Sequence, residues 1–427
     1  MKRFLIIWVG ELLSTIGSGL SAFGLGVCVY RQTDMATATA LVSLLALLPT
    51  VLLGPLAGVL ADRYDRRKLM ILGDGLSALG LLYILLCMMR GRADLANICV
   101  GVTVSSIFAS LLEPAYRATI TDLIPKAQYA KASGLVQMAG SAKFQISPFL
   151  AGLLMKYSGI ELILWIDVGT LLITISATLF VARSVHSERK TEKKRFWLAL
   201  SEGFYILKSR AGVLRLVLLS ALVCFFLTFI QTLSTPVLFA FTDEAALGTA
   251  ETICAVGMLV SSLLIGIFSI RGSYVKMLSI AFFGIGVFMI LFGVWENILL
   301  ITASGFLFFM CLPFANTCLD ILVRQNIPNE AQGRAWGMIG LISQLGYVAA
   351  NAIVGYLADY VFAPALREGG ILYGNIGRII GTGAGRGAAL LIILGGICMC
   401  VLAPCIYRSR SIRSLEKARG SVQTETR

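Results

Sequence analysis

The chain has 427 residues, 57% of them hydrophobic and 14% charged, and carries a net charge of +13. A mean hydropathy of +0.85 and repeated apolar runs of about 20 residues, the length that crosses a bilayer as a helix, exclude a string of soluble domains. The basic excess then reads as a topology signal and not as a nucleic-acid surface, because Lys and Arg collect in the cytoplasmic loops of membrane proteins.

Helix is the default for such runs, since every backbone group in lipid must be satisfied within the segment. Twelve spans are predicted, at 4–29, 37–61, 69–89, 95–121, 133–157, 160–182, 213–240, 248–270, 275–294, 297–322, 334–360 and 386–407. The first run is too long for a cleavable leader and continues as a span. It carries Glu11 about two turns in. Between spans two and three, "GVLADRYDRRKLMILGD" (Gly58 to Asp74) crowds Asp62, Arg63, Asp65, Arg66, Arg67 and Lys68 into one short turn. Gly54 and Gly58 just before it are expected to let span two pack closely on a neighbour.

Span four holds Glu113, followed by Pro114, with Arg117 at i+4, a spacing that allows an ion pair on one helix face. Asp320 and Arg324 repeat that spacing in span ten. Lys143 lies in span five, and Asp167, with Thr170 three residues on, lies in span six. An ionisable group at the centre of a span costs about 2.5–3.5 kcal/mol on insertion and usually faces the protein interior. Glu11, Glu113, Arg117, Lys143, Asp167, Asp320 and Arg324 are therefore the candidates for proton or substrate binding. Glu11 reads equally as a polar packing contact, the two acid–base pairs as solvated helix ends, and Asp167 as a structural hydrogen-bonding group. Lys143 would neutralise one of the acids or an anionic substrate group.

From Arg183 to Gly212 runs the one long connection. "RSVHSERKTEKKR" leads into a segment in which Phe196, Trp197, Leu200, Phe204 and Leu207 share a helical face. That pattern suits a helix lying on the membrane surface; a solvated linker is the alternative, and His186 within it is expected to be solvated. With the N-terminus in the cytoplasm, the inside segments hold 28 of the Lys and Arg residues and the outside segments 7, Arg386 at the edge of the last span among them, with Lys143 inside a span. Both termini are therefore expected inside. The predicted organisation is 1–182, a six-helix half; 183–212, the basic linker; 213–407, a second six-helix half; and 408–427, a basic tail.

"IPKAQYAKASG" (Ile124 to Gly134) aligns with "IPNEAQGRAWG" (Ile327 to Gly337), in the loops before spans five and eleven. A weaker echo pairs "GVLADRYDRRKLM" (Gly58 to Met70) with "GIFSIRGSYVKML" (Gly266 to Leu278), where Arg271 and Lys276 match Arg63 and Lys68 but Ile270 replaces Asp62. The fold class that follows is an all-α membrane protein, twelve helices in two pseudo-symmetric halves. Parallel repeats of this kind place a substrate site near the bilayer midplane between them. The ten cysteines sit in or beside apolar runs, none forms a Cys-x-x-Cys pair with histidine partners, and His186 is the single histidine, so the sequence offers no metal or nucleophile–histidine constellation. No metal, cofactor or enzymatic activity is expected. "GTGAGRG" (Gly381 to Gly387) resembles a nucleotide loop only in spelling, because the strand and soluble βαβ unit that such a loop needs are missing.

The turn "GVLADRYDRRK" resembles the signature of the major facilitator superfamily between spans two and three. Asp65 stands where that signature usually has Gly, a variant similar to the macrolide-efflux-like drug:proton antiporter branch. "GELLSTIGSGL", "LPTVLLGPLAGVLADR", "IDVGTLL", "GRAWGMI", "LADYVFAP" and "GTGAGRGAAL" fit the same branch. In the antiporter segment of span five, "KFQISPFLAG", Ser147 and Ala151 replace glycines. The resemblance implies a secondary transporter in a bacterial plasma membrane, monomeric, exporting an amphipathic small molecule in exchange for protons. Macrolides, siderophores, peptides and lysolipids are all substrates of branch members, and a non-transporting sensor or scaffold is the alternative of another class. The resemblance also implies a conformational gate of Gly58, Asp62, Arg63, Arg66, Arg67, Gly333 and Arg334. In it, Asp62 would dock on the positive N-terminal end of span eleven, worth about 0.3–1 kcal/mol when exposed.

Overall fold

The computed structural model describes residues 2–124, 146–182, 211–268, 273–327, 332–383 and 385–416, with positions 135, 136, 139, 142, 143 and 205. The expected surface helix in the linker, most of the first repeat segment, Ile270 and Arg271, and the tail beyond 416 lie outside the described residues. The described chain is helical throughout: α1 (Lys2–Thr33), α2 (Ala36–Arg63), α3 (Arg66–Met89), α4 (Leu95–Ala109), α5 (Leu112–Leu123) and α6 (Ser147–Ala182) come first. Then follow α7 (Ala211–Phe239), α8 (Glu244–Phe268), α9 (Tyr274–Val294), α10 (Ile298–Asn326), α11 (Gln332–Tyr356), a π-helical turn at Leu357–Phe362, α12 (Ala363–Leu366), α13 (Ile376–Ile380) and α14 (Arg386–Arg408). Eleven segments among the described residues are long and apolar enough to cross a membrane. One of them, α6, holds the end of predicted span five and the whole of span six. Gly159, at φ 78°, breaks it between 157 and 160, where the sequence places the turn between spans five and six.

Span four is the element that departs from expectation. It is predicted as one helix over 95–121, but it stops at Ala109 and restarts at Leu112. Pro114 is the cause: it lacks an N–H, and its ring would collide with the carbonyl of Ser110, four residues earlier. Glu113 consequently sits in the first turn of α5 and is exposed.

The chain forms two compact units: residues 1–193 with 243–252, and residues 194–242 with 253–427. In the first unit α1 lies against α6 along Gly10, Gly17 and Gly24, a seven-residue repeat that keeps one helix face bare. A Cβ on Gly10 would sit 3.2 Å from the Thr174 Cα. The Thr174 hydroxyl donates to the Gly10 carbonyl at 2.9 Å, and Ser147 donates to the Ile16 carbonyl at 3.0 Å. Small residues and hydroxyl bonds of this kind hold membrane helices together, since lipid tails supply no hydrophobic force between them. Large apolar side chains such as Leu52, Leu79, Leu172 and Phe180 are exposed instead, as a lipid-facing surface requires. Residues 243–252 are tied to this unit by ion pairs from Arg31 to Glu244 and from Lys156 to Asp243. Asp243 also accepts from the Ala246 amide at 2.8 Å. That bond, and then the Lys156 ammonium, hold its carboxyl below the usual carboxylate range.

In the second unit, Thr232 bonds to Asn351 at 3.1 Å and Ser220 to Ser343 at 3.0 Å, joining α7 to α11. Residues 410–416 are helical and fold back on the unit, burying Ile412 and Leu415. Glu416 there accepts from the Tyr274 amide at 2.6 Å and the Ser273 hydroxyl at 2.7 Å, capping α9. The "GTGAGRG" segment finds its role here too. Gly385, at φ 75°, turns the chain into α14 with its Cα against the Pro236 carbonyl. Arg386, which the sequence counts as a loop cation, is 1% exposed. It donates Nη2 to the carbonyls of Gly293 and Val294, at 3.0 Å each, with Glu296 3.7 Å from its Nε. A cation at these last carbonyls of α9 complements the negative end of the helix. Arg386→Met is expected to leave both carbonyls without that donor. The cost is about 1–3 kcal/mol, read as a lower thermal unfolding midpoint of the purified protein.

Candidate functional site

Sequence-level candidates from three helices, with Lys143 before α6, come within electrostatic reach of one another in the first unit. Glu11 comes from α1, and its Oε2 atom is buried with no hydrogen-bond partner among the described residues. Asp167 comes from α6 and is 1% exposed. Its backbone carbonyl, not its carboxylate, accepts from the Thr170 hydroxyl at 2.7 Å, so the Asp-x-x-Thr pattern here closes a helical turn. Its Oδ1 receives a long contact from the Ser18 hydroxyl, 3.5 Å away, and Ser21 also acts on it. The approach of Asp167 to α1 depends on Gly17: a Cβ there would collide with the Thr170 hydroxyl and lie 2.9 Å from Asp167 Oδ1.

Lys143 precedes α6, half-buried, with its side chain beside Gly19 and within electrostatic reach of Asp167. Glu113 on α5 lies within electrostatic reach of Glu11. One acid in this group was not singled out from the sequence. Asp74, on α3, is 1% exposed, and both Glu11 and Asp167 act on it electrostatically. In the sequence it follows the charged turn closely and looks like the end of that turn. The available signal was position: it stands two turns inside an apolar run, which the terminal charges do not. Tyr116 of α5, 5% exposed, completes the group, again within reach of Glu11.

The second unit holds a different kind of site. A cavity of about 330 Å³ is lined by Leu216, Ser220, Asn316, Asp320, Ile339 and Ser343, with four further side chains. It is mostly apolar with a single carboxylate, a shape suited to an amphipathic guest. Asp320 is thus placed at a cavity, as its span position suggests. The side chains of Arg117 and Arg324 lie outside the described residues, so the two acid–base spacings stay expectations.

The charged turn between α2 and α3 is built as follows. Asp65 is the N-cap of α3, accepting from the Arg67 amide at 3.0 Å. Arg66 Nε donates to the Ala61 carbonyl at 3.4 Å, and Arg67 is 3% exposed. The Gly-to-Asp departure at position 65 therefore has a local use as a helix cap. Asp62 and Arg63 end α2, and Gly333 and Arg334 lie in the first turn of α11. The side chains of Asp62, Arg63 and Arg334 are outside the described residues. No described atom lies within 4 Å of a Cβ built on Gly54 or Gly58, so the close packing expected there involves no described neighbour.

Residues 7–350 match the family described as Major Facilitator Superfamily. The chain belongs to that superfamily and is a multi-pass membrane transporter, not an enzyme. It is 25% identical over 370 residues to macrolide efflux protein A of Streptococcus pyogenes, across 84% of this chain and 90% of that protein. A solved bacterial homologue of the human lysosomal transporter Spinster, inward-facing and unoccupied, superposes with a TM-score of 0.71 at 14% identity, covering 97% of both chains. The nucleoside transporter NupG superposes with a TM-score of 0.70 at 14% identity, over 96% of this chain and all of that one. These two share the fold.

Gly17→Ala is expected to push α1 away from Asp167, lowering the unfolding midpoint by the equivalent of about 1–3 kcal/mol, as overpacking does. Gly169→Ala, where no described atom lies within 4 Å of the added Cβ, is the matched control and is expected to stay within about 0.5 kcal/mol of the parent.

Proposed function

We propose that this transporter exports amphipathic organic compounds of the macrolide kind in exchange for protons, with both termini in the cytoplasm. The observation that carries the coupling ion is Glu11, an acid on α1 whose buried Oε2 meets no partner among the described residues. An isolated buried carboxylate is expensive, and a bound proton removes its charge. The similarity to a macrolide efflux protein supports the substrate class. So does the largely apolar cavity beside Asp320. The energy is sufficient: each proton returning down a membrane potential releases about 2.3 kcal/mol per 100 mV, and the pH gradient adds to it.

The test uses inverted vesicles carrying the full chain and a fluorescent macrolide. Uptake is expected to require an imposed proton gradient and to collapse with a protonophore. Transport that persists with both the pH gradient and the potential abolished would overturn the proposal.

We further propose that Gly58, Asp62, Arg63, Arg66, Arg67, Gly333 and Arg334 set the balance between the two access states. Lys143, Asp167, Glu113, Arg117 and Arg324 then belong to the charge network that senses the proton or substrate. Asp62→Asn is expected to reach the membrane at the parent level and to change the labelling of reporter cysteines that distinguish the two states. Unaltered labelling together with parental transport rates would remove Asp62 from the gate.

A further inference from the structure

The acid that the sequence left inside its charged turn has the most demanding environment in the first unit. Asp74 lies about 12 Å along α3 from its first residue, by the rise of 1.5 Å per residue, and is 1% exposed. Its Oδ2 atom has no hydrogen-bond partner among the described residues. Buried carboxylates ordinarily have one.

The charges that face it come from the helices around it. Glu11 arrives from α1 and Asp167 from α6, and both act on Asp74. The α5 helix brings Tyr116, whose hydroxyl is also buried without a described partner, and Glu113, which acts on Glu11. The α4 helix carries no Asp, Glu, Lys, Arg or His, and the charges of α2, Asp62 and Arg63, are its last two residues, next to the turn that leads into α3. On α3 itself the cations are Arg66, Arg67 and Lys68, all in its first turn, six to eight residues before Asp74. Lys143 is the described ammonium of the group, and the acid it acts with is Asp167. Glu11 and Asp74 therefore remain as two buried carboxyls, each with an oxygen that no described group satisfies, in a medium where an uncompensated charge costs several kcal/mol.

We propose that Asp74 is a proton-binding residue and forms with Glu11 a two-carboxyl proton site inside the N-terminal unit. This rests on the reading of the chain as a proton-coupled transporter and adds to it a second residue and an interaction between the two. The step is a proton transfer alone. An O–H bond forms at Asp74 Oδ2 or Glu11 Oε2 when a proton enters and breaks when it leaves, and no electrons are exchanged. Because the two groups act on each other, their titrations are coupled, and removing one shifts the other.

The test needs no substrate. The full chain, purified and reconstituted in lipid, is followed through a pH titration by infrared difference spectroscopy at the C=O stretch of protonated carboxyls. A band that disappears as pH rises is expected, and Asp74→Asn is expected to remove part of it. In Glu11→Gln the remaining band is expected to titrate about one pH unit or more away from its parental position. Asp74→Glu, which keeps the carboxyl, is expected to retain a titrating band and guards against a variant that merely misfolds. An unchanged band in Asp74→Asn, or a Glu11→Gln titration that does not move, overturns the proposal. So does a parental band that added sodium removes, which would assign the site to a metal cation. Efflux that ignores the proton gradient while the two-carboxyl band behaves as expected would sink the exporter reading and leave the site standing.

Discussion

The weakness of helix–helix attraction in lipid governs the rest of this structure. Between apolar helices the bilayer gives no hydrophobic advantage, so contact must come from shape and polar bonds. The α1–α6 seam shows the consequence. Gly10 and Gly17 bring backbone against backbone, Thr174 and Ser147 each donate a hydroxyl to an α1 carbonyl, and Asp167 is carried to the bare face of α1. Widening that seam by one methyl group moves the acid. The buried charge cluster is therefore a product of the packing and not an addition to it.

The two units use their polar groups differently. In the first, carboxyls from α1, α3 and α6 act on one another in the interior, and one oxygen each of Glu11 and Asp74 has no hydrogen-bond partner among the described residues. In the second, two side-chain bonds, Ser220 to Ser343 and Thr232 to Asn351, join α7 to α11, and Asp320 is the single acid at a mostly apolar cavity. The exposed ion pair of Lys156 with Asp243 contributes little stability of its own; the close approach of Gly152 to the Glu244 carbonyl and of Gly248 to the Pro148 carbonyl is what holds the start of α8 on the first unit.

Composition and periodicity made the spans legible because lipid imposes one rule on every residue of a span. The break at Gly159 was legible as well, since the sequence places a turn there. The break before Pro114 was missed because hydropathy does not register a lost amide. Arg386 was misplaced for a related reason: a cation beside glycines looks solvated, and only the fold shows that the carbonyls ending α9 are waiting for it. Asp74 was overlooked because distance along the chain was read as distance in space; two helical turns separate it from the exposed charges before it.

The sequence by itself determined the class of molecule, the number and order of its spans and the repeat, since each follows from local rules of hydropathy and spacing. The family resemblance carried by the turn after Gly58 was legible at the same level. Only the tertiary structure decided which acids share an interior, because that depends on which helix faces the small residues allow to touch. It placed Asp74 beside Glu11 and Asp167, set Asp320 at an apolar cavity and sent Arg386 to a helix end, none of which one-dimensional spacing encodes.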